Sequence, residues 1–284
     1  MGKDKDGQAL LPINTNDERY VAQANEFVEG RQNLKLNSAK IMRAVIMQIN
    51  ADDDDINGYT ITIPELAAML GIQPSNLYHE IDNITNDITS KAVEIKDRKS
   101  EKFVKFPWVK KCAYDPKVGL NVALNDEIKP FVLNLKSRAH YTQYQIQEIL
   151  QLKSVYGIRI FELLEKEQYS TKIPPEGKDV ELTIEQIRIA CDCQNKYKKI
   201  SQFKARVIDT AIKDIERVSN RRFICTYIKR GRSTYAINFH IIPWYSPYYD
   251  EKTRTILESP QFEIPSPIEK NILPNDTKLN NPYA

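Results

Sequence analysis

The 284-residue chain is poor in the residues that most chemistry needs: three histidines, four cysteines and nine glycines. His79, His140 and His240 are widely separated and form no His-x-His pair, so a metal-dependent nicking centre has no ligands, and fifteen tyrosines do not replace them. No Gly-x-x-x-x-Gly-Lys loop occurs to cradle nucleotide phosphates. Cys112, Cys191, Cys193 and Cys225 are too few for a disulfide framework in a chain of this length. The Cys191-Asp192-Cys193 pair has one residue between its thiols, where zinc knuckles have about two to four, and no second pair accompanies it. No run approaches the roughly 18 consecutive apolar residues of a membrane helix. Met1 to Gln8 is polar with no hydrophobic run behind it, which leaves no secretory leader to expect. The content describes a cytoplasmic protein with no cofactor, no bound metal, no membrane partner and no enzymatic centre.

What is present suffices for two domains of ordinary size. Residues 246–284 hold six prolines, Pro247, Pro260, Pro265, Pro267, Pro274 and Pro282. Such a composition sustains neither helix nor central strand, so an extended or disordered tail is expected there. Residues 1–14 are expected to be mobile.

One supersecondary pattern occurs twice between the ends. In the first copy, Ile41, Val45 and Ile49 give a helical period over residues 36–49. A solvated acidic loop, Asp52 to Asp55, precedes a short strand at Tyr59–Ile63. Pro64 suits the first turn of a helix ending at Gly71, and Pro74-Ser75 opens another that buries Leu77, Ile81, Ile84 and Ile88. β-rich runs follow at Ala92–Ile95, Lys102–Val109 and Leu120–Leu124, the first two joined by a turn at Lys96–Ser100. In the second copy Ser154 is the N-cap of a helix over 155–167, and Glu181–Ile184 is a strand. A short helix at 185–190, a turn through Cys193–Asn195, and a long helix at 201–219 come next. Phe203, Val207, Ala211, Ile215 and Val218 form its apolar stripe. Arg222–Ile228 and Thr234–Ile242 make a hairpin across Lys229-Arg230-Gly231-Arg232-Ser233. Thr62-Ile63-x-x-Leu66 and Thr183-Ile184-x-x-Ile187 occupy the same place in the two copies. The order helix, strand, helix, turn, helix, hairpin is that of a winged helix. The fold class expected is α+β, two tandem winged-helix domains at 15–140 and 141–245, with the Pro-rich tail at 246–284.

Positive charge is concentrated rather than abundant. The chain totals only +3, yet residues 196–235 hold twelve bases against three acids, which leaves the remainder net acidic by six charges. Such asymmetry is the footprint of a phosphate-binding face. Ser201, Gln202, Lys204 and Arg206 lie in the N-terminal half of the long helix, off its apolar stripe. A recognition helix enters the major groove by that end, where Arg or Lys reads guanine and Gln reads adenine. Lys198 and Lys199 precede the helix, Arg221 and Arg222 follow it, and Lys229, Arg230 and Arg232 form the wing tip. All eleven are candidate contacts to double-stranded DNA; the plainer reading is a solvated amphipathic helix with scattered cations. The corresponding helix of the first copy shows Asn76, His79, Glu80, Asp82, Asn83 and Asp87, a surface that repels phosphate, so the first domain is expected to read DNA more weakly.

Three stretches carry a resemblance to a known family. Leu152-Lys-Ser-Val-Tyr-Gly-Ile-Arg-Ile-Phe-Glu-Leu-Leu164, Phe203-Lys-Ala-Arg-Val-Ile-Asp-Thr-Ala-Ile-Lys-Asp-Ile215 and Lys229-Arg-Gly-Arg-Ser-Thr-Tyr-Ala-Ile-Asn-Phe239 resemble the second winged helix of iteron-binding plasmid replication initiators. Tyr141-Thr-x-Tyr-x-Ile146 resembles their interdomain segment, and the likeness runs from about Asn33 to Ile242. It implies a bacterial protein that binds tandem origin repeats as a monomer, mainly through its second domain. It further implies opening of adjacent duplex, recruitment of the host replicative helicase and host initiator, and self-repression at an operator by a homodimer joined through domain 1. Lys204 and Arg206 take the places of recognition-helix bases, and Lys229, Arg230 and Arg232 those of the wing. Ala205 stands where some relatives carry Arg. A dimeric winged-helix transcriptional regulator and a rolling-circle nicking initiator are the alternatives, the latter opposed by the absent His pair.

Overall fold

The structure is a computed structural model that describes residues 19–258 except 51–52, 57, 98–99, 101, 138–139 and 169–172. The described residues open with β1 (Tyr20–Ala24), α1 (Asn25–Glu29) and β2 (Arg31–Gln32). The first copy of the repeat follows as α2 (Leu36–Ile46), β3 (Gly58–Thr62), α3 (Ile63–Leu70) and α4 (Leu77–Ser90). Strands β4 (Ala92–Lys96), β5 (Phe103–Pro107), β6 (Val109–Asp115) and β7 (Gly119–Leu124) lead to the short α5 (Lys129–Val132). β8 (Tyr141–Gln145) and α6 (Ile146–Leu150) precede the second copy: α7 (Val155–Gln168), β9 (Lys178–Thr183) and α8 (Ile184–Ala190). The long helix, α9, spans 200–218 as Ile200–Phe203, a π-helical turn Lys204–Ile208 and Asp209–Val218. Hairpin β10 (Arg221–Arg230) and β11 (Ser233–Pro243) and two short strands, β12 (Tyr249–Asp250) and β13 (Thr255–Ile256), complete it.

The two copies are built by the same local devices. Thr62 and Thr183 are the N-caps of α3 and α8, and each sits in a reciprocal capping box with the residue three places on, Glu65 or Gln186. Glu65 Oε2 accepts from the Thr62 backbone N–H at 2.6 Å, and Gln186 Oε1 from that of Thr183 at 2.8 Å. Two N–H groups that a helix start leaves without partners are thereby satisfied at each site. A second shared device lies at the far end of the third helix. Asp87 of α4 is buried and accepts from the Lys35 backbone N–H, 2.8 Å, at the start of α2. Asp214 of α9 is likewise buried and accepts from Lys153 and Ser154, 2.7 and 2.8 Å, at the start of α7. Asp87 was expected on the exposed face of its helix; it instead faces inward, because a carboxylate there completes the first helix of its own unit. Gly157 fits the same arrangement, since a Cβ would stand 2.9 Å from Asp214 Oδ2.

The hairpins differ between the copies. In the second, the sheet order is β10-β11-β9, with β9 antiparallel to β11 from Thr183 opposite Ala236 to Lys178 opposite Ile241. In the first, β3 pairs with β7, which pairs with β6, while β4 and β5 join β2 in a separate sheet. The single run expected at Lys102–Val109 therefore breaks at Trp108. Its side chain is fully buried edge-on to Phe27 with ring centroids 5.4 Å apart, and turning it into the core separates β5 from β6.

The two units share one apolar core. β1 pairs with β8 from Tyr20 opposite Gln145 to Ala24 opposite Tyr141, so the expected boundary at 140/141 cuts beside a sheet that spans it. At the centre of the contact is Glu162 of α7, fully buried. It accepts from Arg43 of α2 through both oxygens at 2.9 Å, from Tyr144 Oη at 2.6 Å, from Gln23 at 2.9 Å, and from Arg159. Arg159 continues the network to the carbonyls of Val28, Gly30 and Ala190. Residues 246–258 depart from the extended tail expected there. They fold back as β12 and β13, held by Arg254 to Glu216 at 2.6 Å and by Arg222 to Glu251 at 3.2 Å. Residues 259–284, and the N-terminal 1–14, lie outside the described residues.

Burial alone would raise the Glu162 carboxyl, but the guanidinium groups of Arg43 and Arg159 overcome it and hold the group down to about 2. A carboxylate depressed on folding stabilises above its unfolded value of about 4.3, and the stability is lost as pH falls toward its folded value. Urea titrations are expected to show this loss between about pH 4.5 and 2, with the slope reduced in Glu162→Gln. Arg43→Ala is expected to cost roughly 3–5 kcal/mol at pH 7, because it leaves a buried charge short of its main partner.

Candidate nucleic-acid interface

The second unit presents α9 on a turn that is pinned from behind. Arg188 of α8 donates to the carbonyls of Cys193, Lys196 and Tyr197 at 3.0, 2.7 and 2.8 Å. Its guanidinium carbon also lies 4.3 Å from the ring centroid of Phe203, the first core residue of α9. One side chain thus closes the turn and seats the helix on it. Cys193 is fully buried within this turn and Cys191 nearly so, and burial pushes both thiols up, Cys193 to about 11. No group of three or more His, Cys, Asp or Glu able to hold a metal occurs among the described residues.

From this base the cations project outward. Lys198 and Lys199 are exposed ahead of the helix, Lys199 being its N-cap, and Ser201, Gln202, Lys204 and Arg206 are exposed on its first turns. Lys204 Nζ stands 5.2 Å from the ring centroid of Tyr227 on β10, which ties the helix to the hairpin. Lys229, Arg230 and Arg232 are exposed at the hairpin tip, where Gly231 takes the positive φ of 63° that the turn requires. Arg230 packs its guanidinium 3.9 Å from the ring centroid of Tyr235. Such cation–ring contacts fix a flexible side chain while leaving its charge available. Nine of the eleven sequence-predicted contacts are therefore on one exposed surface made by the start of α9 and the β10–β11 tip.

Arg221 and Arg222 are not on it. Arg221 is largely buried, ion-paired with Glu165 and with Glu148 at 3.8 Å, and lies 5.7 Å from the Phe161 ring centroid. Arg222 is held by Glu251. Both sit at the base of the hairpin, and their charge is answered by acids of the same chain, in the interior for Arg221 and at the surface for Arg222. Sequence reasoning missed Arg188, Tyr227 and Tyr235, the residues that hold the face. Tyr227 and Tyr235 fall in step with the core positions Phe223 and Ile237 on paired strands, close to the cations of the tip, which is the signal that marks them. The corresponding surface of α4 exposes Tyr78, His79, Asp82 and Asn83, with Asp82 engaged to Asn86 at 3.1 Å. It carries no cation.

Residues 20–165 match the family described as Initiator Replication protein, WH1, and residues 183–241 match that described as Initiator Rep protein, WH2. The chain belongs to the initiator replication protein family. A replication initiation protein of Escherichia coli is 22% identical over 228 residues, 79% of this chain and 70% of that relative. A crystal structure of the Pi initiator protein in complex with iteron DNA superimposes with a TM-score of 0.66 at 17% identity, over 80% of this chain and 98% of that one. At that identity the likeness establishes the fold: two winged-helix domains. The WH1 match carries past β8 into α7, which agrees with the shared core between the units.

The surroundings of the arginines separate two classes of variant in this initiator. Arg221→Ala is expected to destabilise by roughly 2 kcal/mol in urea denaturation, as a mostly buried ion pair loses its cation. Arg232→Ala, at the exposed tip, is expected to stay within about 0.5 kcal/mol of the parent. Equal effects would contradict the assignment of Arg221 to the interior.

Proposed function

We propose that the chain initiates replication of a plasmid by binding tandem origin repeats, iterons, as a sequence-specific double-stranded DNA-binding protein. The single observation that carries the reading is the placement of nine exposed polar or cationic side chains just before and on the N-terminal turns of α9 and on the β10–β11 tip. The membership of residues 183–241 in the WH2 family supports it. In this reading α9 enters the major groove N-terminus first, with Arg206 and Gln202 toward base edges. Lys198, Lys199, Lys229, Arg230 and Arg232 hold phosphates on either side, and their charges steer association. The first domain, whose α4 surface lacks cations, is the weaker reader and the site of homodimerisation. The monomer opens adjacent duplex and recruits the host replicative helicase and host initiator in the bacterial cytoplasm, while the dimer represses the protein's own gene.

Arg206 is the proposed base reader, because its planar fork can make two bonds to guanine where Lys204 offers one mobile charge already drawn toward Tyr227. Arg206→Ala in the full chain is expected to cost about 1–3 kcal/mol on the cognate repeat and to relax preference at one position. An unchanged ranking of single-base variants, with uniformly weaker binding, would reassign Arg206 to phosphate.

With about six phosphate contacts, log K is expected to fall against log[salt] with a slope of roughly −5. Lys229→Ala or Arg232→Ala is expected to reduce that slope by about one while weakening all sequences alike. A parent slope near zero would sink the proposed phosphate contacts.

A further inference from the structure

The recognition helix is not a regular α-helix. Over Lys204–Ile208 it widens into a π-helical turn, in which the Asp209 N–H reaches back five residues to the Lys204 carbonyl. The Thr210 hydroxyl donates to the Ala205 carbonyl at 3.2 Å, also five residues back. The cause is readable in the spacing of the core side chains. Phe203, Val207, Ala211 and Ile215 are all fully buried, yet stand four residues apart three times over. In an α-helix each such step drifts by about 40°, and three would carry Phe203 out of the core. A π turn absorbs the excess residue.

The fold does not require that residue. With Ala205 removed, Phe203, Val207, Ile208, Ala211, Ile212 and Ile215 fall at i, i+3, i+4, i+7, i+8 and i+11, the stripe of an ordinary amphipathic helix. The excess is carried instead on the outer face, where Lys204, Ala205 and Arg206 are exposed in succession. Because the turn absorbs the extra residue, the helix on either side keeps its phase, and the surplus falls on the outer face, where three residues fill an arc that two would fill in an α-helix. Lys204 and Arg206 stand within it, so the turn sets how these two cations are presented beside Ser201 and Gln202. Hydrogen bonds to base edges depend on that presentation.

We infer that the π turn at 204–208 is the specificity-setting element of the recognition helix, with Thr210 as the positioning residue that satisfies its opened backbone. The inference rests on the reading of α9 as the groove-binding helix.

The test compares full-length parent, ΔAla205, Thr210→Val and Thr210→Ser. Each is measured for thermal midpoint and for binding to a duplex that the parent selects from a randomised pool, against a scrambled duplex of the same length. Because Ala205 carries no charge, ΔAla205 is expected to melt close to the parent and to bind the scrambled duplex within about twofold. Its preference for the selected duplex is expected to fall by about tenfold, the discrimination of one good base contact. Thr210→Val is expected to lose about threefold of the preference, less than the tenfold of one whole contact, and Thr210→Ser to retain it. A folded ΔAla205 that keeps the parent's preference overturns the inference, as does a ΔAla205 that does not fold, since the residue is then structural. Thr210→Val with full preference removes Thr210 from its role. A parent that enriches no sequence overturns the reading of α9 itself, and is distinguishable from either result.

Discussion

A carboxylate that never sees water holds the two halves of this molecule in register. Glu162 receives hydrogen bonds from Arg43, Arg159, Tyr144 and Gln23, which come from both units and from the strand joining them. Isolated in an apolar interior, such a charge would be strongly disfavoured; with two guanidinium groups and two neutral donors around it, its lone pairs are filled. The network has geometric demands that an apolar contact lacks, because each donor must arrive at a fixed distance and direction. Arg159 extends those demands to the carbonyls of Val28 and Gly30 in the first unit and of Ala190 at the end of α8. α8 in turn carries Arg188, which seats α9. A continuous line of directed bonds thus runs from the interdomain contact to the exposed cations.

Much of this architecture was legible in the chain, and what was hidden has physical causes. The repeated Thr-Ile-x-x-apolar signature marked two helix starts because capping is local: the threonine and the residue three places on suffice. The charge excess at 196–235 located the outer face because nothing in the interior can answer so many cations. Arg221 was misjudged for the converse reason. Its partners Glu148 and Glu165 are more than 50 positions away, and only the fold brings them together. Asp87 was counted as a surface acid, although the two copies share an Asp-Ile step, Asp87-Ile88 and Asp214-Ile215, at the same place in the third helix. Glu162, inside an apolar run of α7, gave no local sign of its role. The hairpin at 249–256 was concealed by composition, since proline content describes backbone propensity and not the ion pairs that can still tie a segment down.

The electrostatics divide the work of the surface. Cations at the start of α9 lie where the helix dipole is also positive, so the two fields add toward an approaching phosphate. Aromatic rings restrain Lys204 and Arg230, which in the proposed function lowers the entropy lost when those side chains are ordered against DNA. The equivalent surface of α4 has neither feature. Two copies of one supersecondary unit have been given opposite surfaces on a nearly common scaffold.

In the proposed function, the start of α9 and the β10–β11 tip form the face that meets DNA. Backbone hydrogen–deuterium exchange on the full chain, with and without a duplex selected from a randomised pool, tests it most directly. Added protection is expected in peptides covering 198–210 and 228–234, with little change over 77–90. Protection confined to 77–90, with 198–210 and 228–234 unaltered, would contradict it.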